Sequence, residues 1–433
     1  MPEASIDAIV SDPPYGLAFM GRDWDKALPD PATWAELLRV AKPGAHLVAF
    51  GHPRLYHRLA VDIEDAGWEL RDCLMWLFGT GFPKSLDVSK AIDAAAGVER
   101  HVIGRGPHAA NRTHPEGYDG WTGEDRREVT APATPASARW SGWGTALKPA
   151  WEPILLARKP LAGTVAANVL EHGTGGLNID GARVGTSDVL RIGSGLLGYE
   201  SGCDGSNPGS QNPAGRWPAN VVLDEEAAAR LDGEVGELAS RGNIGSSVAT
   251  GPPGAAYAIG AERPSGAEYT YGDSGGASRF FYTAKASRAE REAGLGPARA
   301  HVDPKRKDGS AGRQSKRANT HPTVKPIDLM QWLLRLVTPP GGIVLDPFTG
   351  SGTTGCAAAL EGFEFAGAEM SATYAEIARA RIEHWRSVAV ERSRQLPLFD
   401  PPEPRPRAEQ TGLDLDEVEP VVPVGALDHR GRP

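Results

Sequence analysis

Two stretches of the chain alternate between short apolar runs and segments whose apolar residues recur at helical spacing. In the first stretch, Ile6–Val10 and Ala45–Phe50 are mostly apolar runs with the length of buried strands. Residues 31–41, between these runs, and residues 54–66, after them, have the spacing of amphipathic helices. Residues 68–78 are predicted to form a third strand. This alternation of strand, helix and strand is typical of a doubly wound α/β sheet.

The second stretch lies towards the C-terminal end and has the same alternation. A predicted helix over residues 326–336 precedes a buried strand at Gly342–Asp346. A glycine-rich loop and a helix of small residues follow, to about residue 360. A strand over residues 363–369 and a helix over residues 372–385 come next. The pattern therefore predicts two blocks of α/β structure with a long region between them.

In that intervening region, from about residue 80 to residue 278, periodicity is poor and Gly, Pro, Ser and Asn are frequent. Trp151–Arg158 is predicted to be a strand that returns to the sheet, and Pro218–Asp224 and Arg279–Tyr282 are shorter strand candidates. Past Val388 the chain is rich in Pro and charged residues, which predicts disorder. The predicted organisation is two halves of one α/β domain at 1–80 and 301–388, an irregular insertion at 81–300 and a disordered tail at 389–433.

Composition narrows the class of protein. The chain has 433 residues, 53 Gly, 36 Pro and a formal net charge of −9, so nucleic acid would be bound by a local basic face. The cysteines Cys73, Cys203 and Cys356 are far apart and lack metal-ligand spacing. No apolar run has the length to span a bilayer, and no signal-peptide pattern begins the chain. We expect a reduced, soluble, cytoplasmic protein without a metal site.

The glycine-rich segment Gly350–Gly355 matches G-x-G-x-x-G between a strand and a helix. Glycines let the backbone approach a ligand, and a helix N-terminus offers it unpaired N–H groups. Glu369, after the next strand, is spaced to hold a ribose diol. Nicotinamide, flavin and methyl-donor sites share this pattern with turns that bind nothing. Asp346, however, suits the ammonium group of a methionine moiety better than a pyrophosphate, and Phe348 is suited either to flank a ligand or to pack in the core.

The segment Asp12–Tyr15, with the sequence Asp-Pro-Pro-Tyr, ends the first predicted strand. The exocyclic amine of adenine or cytosine is a poor nucleophile because its lone pair is delocalised into the ring. The Asp12 carboxylate and the Pro13 carbonyl can accept both N–H protons and localise that lone pair, and the rigid prolines keep the acceptors in place. Tyr15 would stack on an extruded base. The alternative is an ordinary turn, since Asp-Pro is common in turns.

With a third segment, His321–Pro326, these motifs resemble those of the permuted, β-class DNA amino-methyltransferases of the DNA methylase N-4/N-6 family. The resemblance covers residues 5–80, 150–160 and 320–385. In that family the catalytic motif precedes the target-recognition region and the methyl-donor motif comes last. This implies a circularly permuted, Rossmann-like methyltransferase fold with an irregular inserted target-recognition region. The sequence as a whole also resembles the adenine-specific DNA methylases of actinobacterial phages and their hosts.

The resemblance implies site-specific methyl transfer from S-adenosyl-L-methionine to a flipped base in double-stranded DNA, as in restriction–modification. An initial Asp in the tetrapeptide goes mainly with adenine N6 and an initial Ser with cytosine N4, so adenine is predicted and cytosine N4 is the alternative. Cytosine C5 chemistry needs a thiolate that usually follows a proline, and no cysteine of this chain does. The implied catalytic residues are Asp12, Pro13, Pro14 and Tyr15; the implied donor-binding residues are Thr323, Lys325, Asp346, Pro347, Phe348, Gly350, Ser351, Gly352, Thr353, Thr354 and Glu369.

The N-terminal residues depart from the family pattern. Family members usually have a strand with a Gly-Asp pair and a short helix before the catalytic strand, whereas Met1–Asp7 matches only the end of that lead-in. We expect a start codon assigned too late or, alternatively, a truncated and inactive DNA-binding relative, with the strand before Glu369 left at the sheet edge. A nicotinamide oxidoreductase is the other class, suggested by the glycine pattern alone, and it leaves Asp12–Tyr15 unexplained.

Two further segments carry predictions about partners. A basic segment in this acidic chain is the candidate for tracking DNA phosphates, with a solvated loop as the alternative; its residues are Lys305, Arg306, Lys307, Arg313, Lys316 and Arg317. Gln395–Phe399 resembles the pentapeptide by which bacterial proteins bind the replicative sliding clamp, with Leu398 and Phe399 entering an apolar groove. The alternative is that these residues fold back on their own domain.

Overall fold

The computed structural model describes residues 1–18, 23–79, 81, 85–105, 128–185, 215–239, 274–285, 287–297, 299–302 and 314–395. The strands in these residues are β1 (Ile6–Ser11), β2 (Ala41–Phe50), β3 (Glu69–Leu77), β4 (Val102–Arg105), β5 (Glu128–Thr130), β6 (Trp151–Arg158), β7 (Val221–Asp224), β8 (Leu238–Ala239), β9 (Ser274–Gly275), β10 (Tyr282–Ala284), β11 (Arg299–Val302), β12 (Gln314–Arg317), β13 (Ile343–Asp346) and β14 (Glu364–Gly367). The helices are α1 (Pro31–Val40), α2 (Tyr56–Asp65), α3 (Val88–Ala95), α4 (Pro135–Arg139), α5 (Val165–His172), α6 (Glu225–Val235), α7 (Arg288–Glu292), α8 (Ile327–Val337), α9 (Thr353–Glu361) and α10 (Ala372–Gln395).

The central sheet has eight strands among the described residues, in the order β10-β7-β3-β6-β2-β1-β13-β14. Strand β6 is antiparallel to its neighbours β2 and β3, and the other neighbouring pairs are parallel. The predicted α/β, Rossmann-like fold class is therefore confirmed, with a mixed sheet. Strand β1 lies beside β13, so the N-terminal and C-terminal blocks form one sheet.

Helices cover both faces of this sheet. Successive side chains of a strand point to opposite faces, so neighbouring residues of β1 pack against different helices. Ala8 and Val10 belong to the apolar cluster that contains α8 and α9, whereas Ile9 belongs to the cluster that contains α1 and α2. Each cluster includes a fully buried tryptophan, Trp332 in the first and Trp34 in the second. Because replacing such a residue by Ala costs about 3–5 kcal/mol, both layers contribute strongly to stability.

Several predicted elements differ in length. Strand β2 begins at Ala41, directly after α1, and α10 continues to Gln395, past the predicted boundary at residue 388. Helix α10 contains no Gly or Pro, so nothing in its composition ends it earlier. The segment predicted to be a disordered tail thus begins in a helix, and its residues 396–433 lie outside the described residues.

The strand predicted at Arg279–Tyr282 is wrong for most of its length. Residues Ala277–Phe280 form a 3-10 turn, and β10 begins only at Tyr282. The Asp232 carboxylate holds this turn, since it accepts from the backbone N–H and the hydroxyl of Ser278, at 2.8 and 2.6 Å. The region predicted as an irregular insertion also supplies three strands of the central sheet, β6, β7 and β10, where one was expected.

The carboxyl ends of β2, β1, β13 and β14 lie at one edge of the sheet, because these four strands are parallel. Asp12 directly follows β1, Asp346 ends β13 and Glu369 follows β14. Ile9 of β1 pairs with Leu345 of β13, so the two predicted motifs leave the sheet side by side. Open α/β sheets bind their ligands at this edge.

Candidate active site

A cavity of about 1790 Å³ opens at this edge of the sheet. Its lining includes the Asp12–Tyr15 turn (the catalytic turn), most of the loop at residues 347–352 between β13 and α9 (the donor loop), and Glu369. Among the residues predicted to act in catalysis or donor binding, Gly352 alone is missing from the lining. The structure thus brings together two motifs from opposite ends of the sequence.

Two of the six residues predicted to contact DNA lie in the described part of the chain. Lys316 and Arg317 belong to β12, which pairs with β11 in a separate two-stranded sheet. Lys305, Arg306, Lys307 and Arg313 lie outside the described residues, as do the last four residues of the predicted clamp motif at Gln395–Phe399. The roles of both segments stay predictions.

Asp346 is buried beneath the donor loop and accepts three hydrogen bonds. Their donors are the Ser11 hydroxyl at 2.5 Å, the Thr354 hydroxyl at 2.6 Å and the backbone N–H of Phe348 at 3.1 Å. Burial raises the pKa of Asp346 to about 6, although these hydrogen bonds lower it. Since all three donors are neutral, an ammonium group in the cavity would add the missing positive charge. Ser11, which the sequence did not single out, links the catalytic turn to the donor loop.

The backbone of the loop between β13 and α9 requires glycine at two positions. Gly350 and Gly352 have φ angles of +54° and +81°, in the left-handed region. A Cβ atom at Gly350 would lie 2.9 Å from the His321 ring, and one at Gly352 would lie 2.9 Å from Ala378 of α10. Gly352 therefore acts behind the cavity, where it lets α9 begin close against α10.

Glu369 holds the same loop from the side of β14. One carboxylate oxygen accepts from the N–H of Gly350 and the other from the N–H of Ser371, both at 2.8 Å. Each oxygen of a carboxylate has a second lone pair. The geometry therefore leaves room for the predicted contact between Glu369 and a ribose diol.

A buried arginine supports the loop from behind and was not predicted from the sequence. The guanidinium of Arg381, in α10, donates to the carbonyl and the hydroxyl of Ser351, at 2.6 and 3.0 Å, and to the Thr353 hydroxyl at 3.2 Å. Arg381 is fully buried. Burial lowers its pKa, but an arginine side chain stays protonated in proteins. Its contacts join the Gly-rich loop, the start of α9 and α10 into one unit.

The Asp12 carboxylate lies in the cavity wall between a phenol and an ammonium group. The Tyr15 hydroxyl donates to its Oδ1 at 2.5 Å, and Lys325 Nζ donates to its Oδ2 at 2.6 Å. Tyr15, predicted to stack on a base, also has its ring 6.2 Å from the ring of His52. Lys325 is predicted to contact the methyl donor, and in the structure its ammonium contacts the catalytic turn.

Asp25 fixes the backbone that follows the catalytic turn. Its Oδ1 accepts from the N–H groups of Tyr15 and Gly16, at 2.6 and 3.1 Å, and its Oδ2 accepts from that of Leu17 at 3.2 Å. Three successive part-buried N–H groups thereby find acceptors. The orientation of the turn depends on this carboxylate as well as on the two prolines, although sequence analysis did not single Asp25 out.

Glu152 is a further site residue that sequence analysis missed. It is the second residue of β6 and lines the cavity beside the catalytic turn. Its Oε2 lies 3.4 Å from Lys325 Nζ and 3.4 Å from the Tyr15 hydroxyl. The sequence contained a signal for this residue, because an acidic residue in a predicted buried strand is rare unless it is paired.

The charged groups of this cluster shift the pKa values of their neighbours. Burial acts to lower the pKa of Lys325, but the Asp12 and Glu152 carboxylates outweigh it and raise that pKa above its ordinary value. Burial raises the pKa of Tyr15 well above its ordinary value, and both carboxylates raise it further, so Tyr15 stays a neutral phenol. Burial also raises the pKa of Glu152, although Lys325 opposes this. One ammonium group thus serves two carboxylates.

The lining fits a cationic methyl donor. S-Adenosyl-L-methionine has an ammonium group, a sulfonium and a ribose diol, and the cavity offers Asp346 and Glu369 near the donor loop. Asp346 would hold the ammonium group and Glu369 the diol, because each is a carboxylate with accepting capacity at the wall. The absence of a Cβ at Gly350 keeps that wall open to a close approach of the backbone.

Comparison with known proteins agrees with this geometry. A family model described as DNA methylase matches residues 6–380. The Type II methyltransferase M2.DpnII of Streptococcus pneumoniae is 44% identical over 68 residues, 16% of this chain and 25% of that protein. The DNA adenine methyltransferase YhdJ of Escherichia coli strain K12 is 41% identical over 63 residues, 14% of this chain and 21% of that protein. The alignments thus span about a quarter or less of these relatives' own length.

Among solved structures, the cytosine-N4-specific PvuII DNA methyltransferase is similar over 90% of this chain and 86% of that one, with a TM-score of 0.36 and 12% identity.

Within the described ranges, no helix combines the length and apolar character needed to cross a membrane. The same residues contain no group of three or more His, Cys, Asp or Glu side chains arranged to hold a metal ion.

Proposed function

The chain belongs to the DNA methylase family, whose methyl donor is S-adenosyl-L-methionine, and we propose that it methylates the N6 amine of a flipped adenine in double-stranded DNA. The observation that carries this proposal is the shared cavity. The Asp12–Tyr15 turn and the loop from Asp346 to Thr354 form walls of the same space, so a base amine and a methyl donor could meet there.

The residues of the turn would make the amine nucleophilic. Asp12 and the Pro13 carbonyl would accept its two N–H protons, which localises the nitrogen lone pair. The donor supplies an electrophilic methyl group on positively charged sulfur. The electron pair of the broken C–S bond would stay on sulfur, and the proton that the methylated nitrogen then loses would pass to solvent by way of the Asp12 carboxylate, which accepts that N–H. The turn contributes chiefly by proximity and alignment.

Adenine is preferred to cytosine because the tetrapeptide begins with Asp, at position 12. A relative named as a DNA adenine methyltransferase, over its 63 aligned residues, supports the same choice. We also propose that the intervening residues 81–300 recognise the target sequence, apart from their sheet strands. Binding of the Gln395–Phe399 segment to the sliding clamp is a further proposal about partners.

Nucleoside mass spectrometry tests the reaction directly. The purified chain is incubated with unmethylated double-stranded DNA and S-adenosyl-L-methionine, and the DNA is then digested to nucleosides. N6-methyladenine is the expected product. N4-methylcytosine would overturn the choice of base and keep the family chemistry, whereas no methylated nucleoside would overturn the proposed activity of this chain.

A binding measurement separates the methylase from the oxidoreductase alternative. Calorimetric titration with S-adenosylhomocysteine is expected to give a saturable signal that weakens in Gly352→Ala, because a Cβ there displaces the donor loop. Titration with NAD is expected to give none. Binding of NAD with no binding of S-adenosylhomocysteine would overturn the assignment of the cavity.

A further inference from the structure

The proposed chemistry has to displace a contact that the structure contains. Asp12 Oδ2 is 2.6 Å from the Lys325 ammonium, and Oδ1 is 2.5 Å from the Tyr15 hydroxyl. Charge-assisted hydrogen bonds of this length are stronger than those between neutral groups. A neutral base amine is therefore a weak competitor for Oδ2 while Lys325 stays there.

Glu152 offers the ammonium group another place. Its Oε2 lies 3.4 Å from Lys325 Nζ, within ion-pair range but beyond an optimal hydrogen bond. A movement of roughly 0.5 Å would bring the two groups to the usual distance of about 2.9 Å. The same movement would lengthen the 2.6 Å contact with Asp12 Oδ2 to as much as about 3.1 Å, the long end of the hydrogen-bond range, and so weaken the competition with an incoming amine. The Lys325 side chain is only 9% exposed, so water cannot readily take its charge, and the Phe50 ring lies 4.7 Å from Nζ on another side.

We propose that Glu152 is a positioning residue that draws the Lys325 ammonium away from Asp12 when the base amine enters the cavity. Asp12 Oδ2 is then free to accept from the amine, and Glu152 itself touches neither the base nor the methyl donor. The proposal rests on the proposed function, since it assigns a task within that reaction.

Charge balance supports this division of labour. With both carboxylates ionised, Asp12, Glu152 and Lys325 have a formal net charge of −1, which favours the positive charge that develops on the amine nitrogen. A pair made of Asp12 and Lys325 alone would be neutral, and the ammonium would have no alternative carboxylate within reach. The second carboxylate therefore keeps the site anionic and gives the lysine a second position.

Three variants test the proposal: Glu152→Gln, Lys325→Met and the double variant that combines them. Glu152→Gln removes the second anchor and leaves the ammonium on Asp12. The double variant removes the ammonium as well, and it restores the net charge of −1 because Asp12 alone remains charged. A positioning role therefore predicts an interaction between the two substitutions, whereas a packing role predicts independent effects.

Steady-state methyl transfer is expected to show kcat reduced roughly 10- to 100-fold in Glu152→Gln, the effect of removing a hydrogen bond to a charged group. KM for DNA should change much less than kcat. In the double variant kcat should recover above that of Glu152→Gln. The conservative variant Glu152→Asp, which retains the charge, should fall between Glu152→Gln and the wild type.

The matched control is Glu69→Gln. Glu69 also forms an ion pair with a basic side chain, at 2.7 Å from Arg158 of β6, but lies outside the cavity lining. It is expected to leave kcat unchanged. Thermal melting and S-adenosylhomocysteine binding are measured for every variant, so that loss of folding is recognised; a misfolded Glu152→Gln is replaced by comparing Glu152→Asp with the wild type.

The outcomes separate this inference from the function beneath it. A wild-type chain that methylates no DNA overturns both. With an active wild type, unchanged kcat in Glu152→Gln overturns the inference alone. So does a double variant no faster than Glu152→Gln, because the loss would then not depend on the lysine.

Discussion

The catalytic turn and the donor loop both place a carboxylate at the end of a parallel strand, but the surroundings of the two carboxylates are opposite. Asp12 accepts from an ammonium group supplied by Lys325, whereas the hydrogen-bond donors to Asp346 are all neutral. The first carboxylate has its countercharge within the protein. The second lacks one, and its pKa is raised to about 6 by burial. The difference shows which of the two carboxylates is paired with a positive charge in the absence of a ligand.

Asp12→Asn is expected to have the largest effect and to separate the two regions. The amide removes the charged acceptor, so kcat for methyl transfer should fall about 10²- to 10³-fold, the usual effect of removing a group that stabilises the transition state. Affinity for S-adenosylhomocysteine should change less than about twofold, because the donor loop has its own supports. Asp180→Asn, an exposed aspartate paired with Arg183, is the control. Loss of donor binding in Asp12→Asn would mean that the two regions are not separable.

Gly352→Ala should act on the other region. Gly352 and Gly362 flank α9, with φ of +81° and +76°, but a Cβ at Gly352 meets Ala378 at 2.9 Å and one at Gly362 meets nothing within 4 Å. Gly352→Ala and the control variant Gly362→Ala should each lose about 1–2 kcal/mol of stability, because alanine is unfavourable in the left-handed conformation. Only Gly352→Ala should also weaken S-adenosylhomocysteine binding, roughly 10- to 100-fold, because small displacements of binding groups are costly. If calorimetry gives the two variants equal affinities for S-adenosylhomocysteine, this account of the loop is contradicted.

The pKa of Asp346 predicts how donor affinity depends on pH. A bound ammonium group favours the ionised carboxylate, so affinity should rise up to about tenfold per pH unit below 6 and level off above it. Asp346→Asn should bind more weakly and lose that slope. In the donor-free protein the native state holds the proton more tightly than the unfolded chain, so the unfolding free energy should fall as pH rises from about 4 to about 6. If the donor affinity of the wild type does not change between pH 5 and pH 7, Asp346 is excluded as the ammonium ligand.

The smallest effect is expected from the basic segment, which belongs to neither region. Replacing Lys305, Arg306 and Lys307 by Gln should weaken DNA binding a few-fold and reduce the slope of log affinity against log salt by about 0.9 for each DNA phosphate that is no longer neutralised. The same triple change at Arg386, Arg392 and Arg394, on the exposed side of α10, is the control. An unchanged salt slope in the first variant would remove this segment from the DNA interface.

Sequence alone located most of the fold, because the apolar runs are strong where strands are buried on both faces. Trp151–Arg158 was predicted with the bounds that β6 has. Asp12 and Asp346 were also predicted to share a site, from the order of their motifs. The apolar runs are local in the chain, and the order of the motifs belongs to a known arrangement. Neither prediction therefore requires knowledge of three-dimensional contacts.

The supports of the site could not be predicted in the same way. Glu152 contacts the catalytic turn only because β6 inserts antiparallel between β2 and β3. Arg381 is one of several arginines in α10, and burial behind the Gly-rich loop is what distinguishes it. Such roles come from tertiary neighbours far away in the chain, and no periodicity or short motif encodes them.

The hydrogen bond from Ser11 to Asp346 joins residues 335 positions apart, and this separation has a consequence for how the protein can vary. Loop-closure entropy grows only with the logarithm of length, so doubling the chain between two paired strands costs about 0.6 kcal/mol. The adjoining strands β1 and β13 can therefore stay paired while the loops between the sheet strands are lengthened or shortened. Asp12 and Asp346 keep their positions through such changes, because each lies at the end of one of these paired strands.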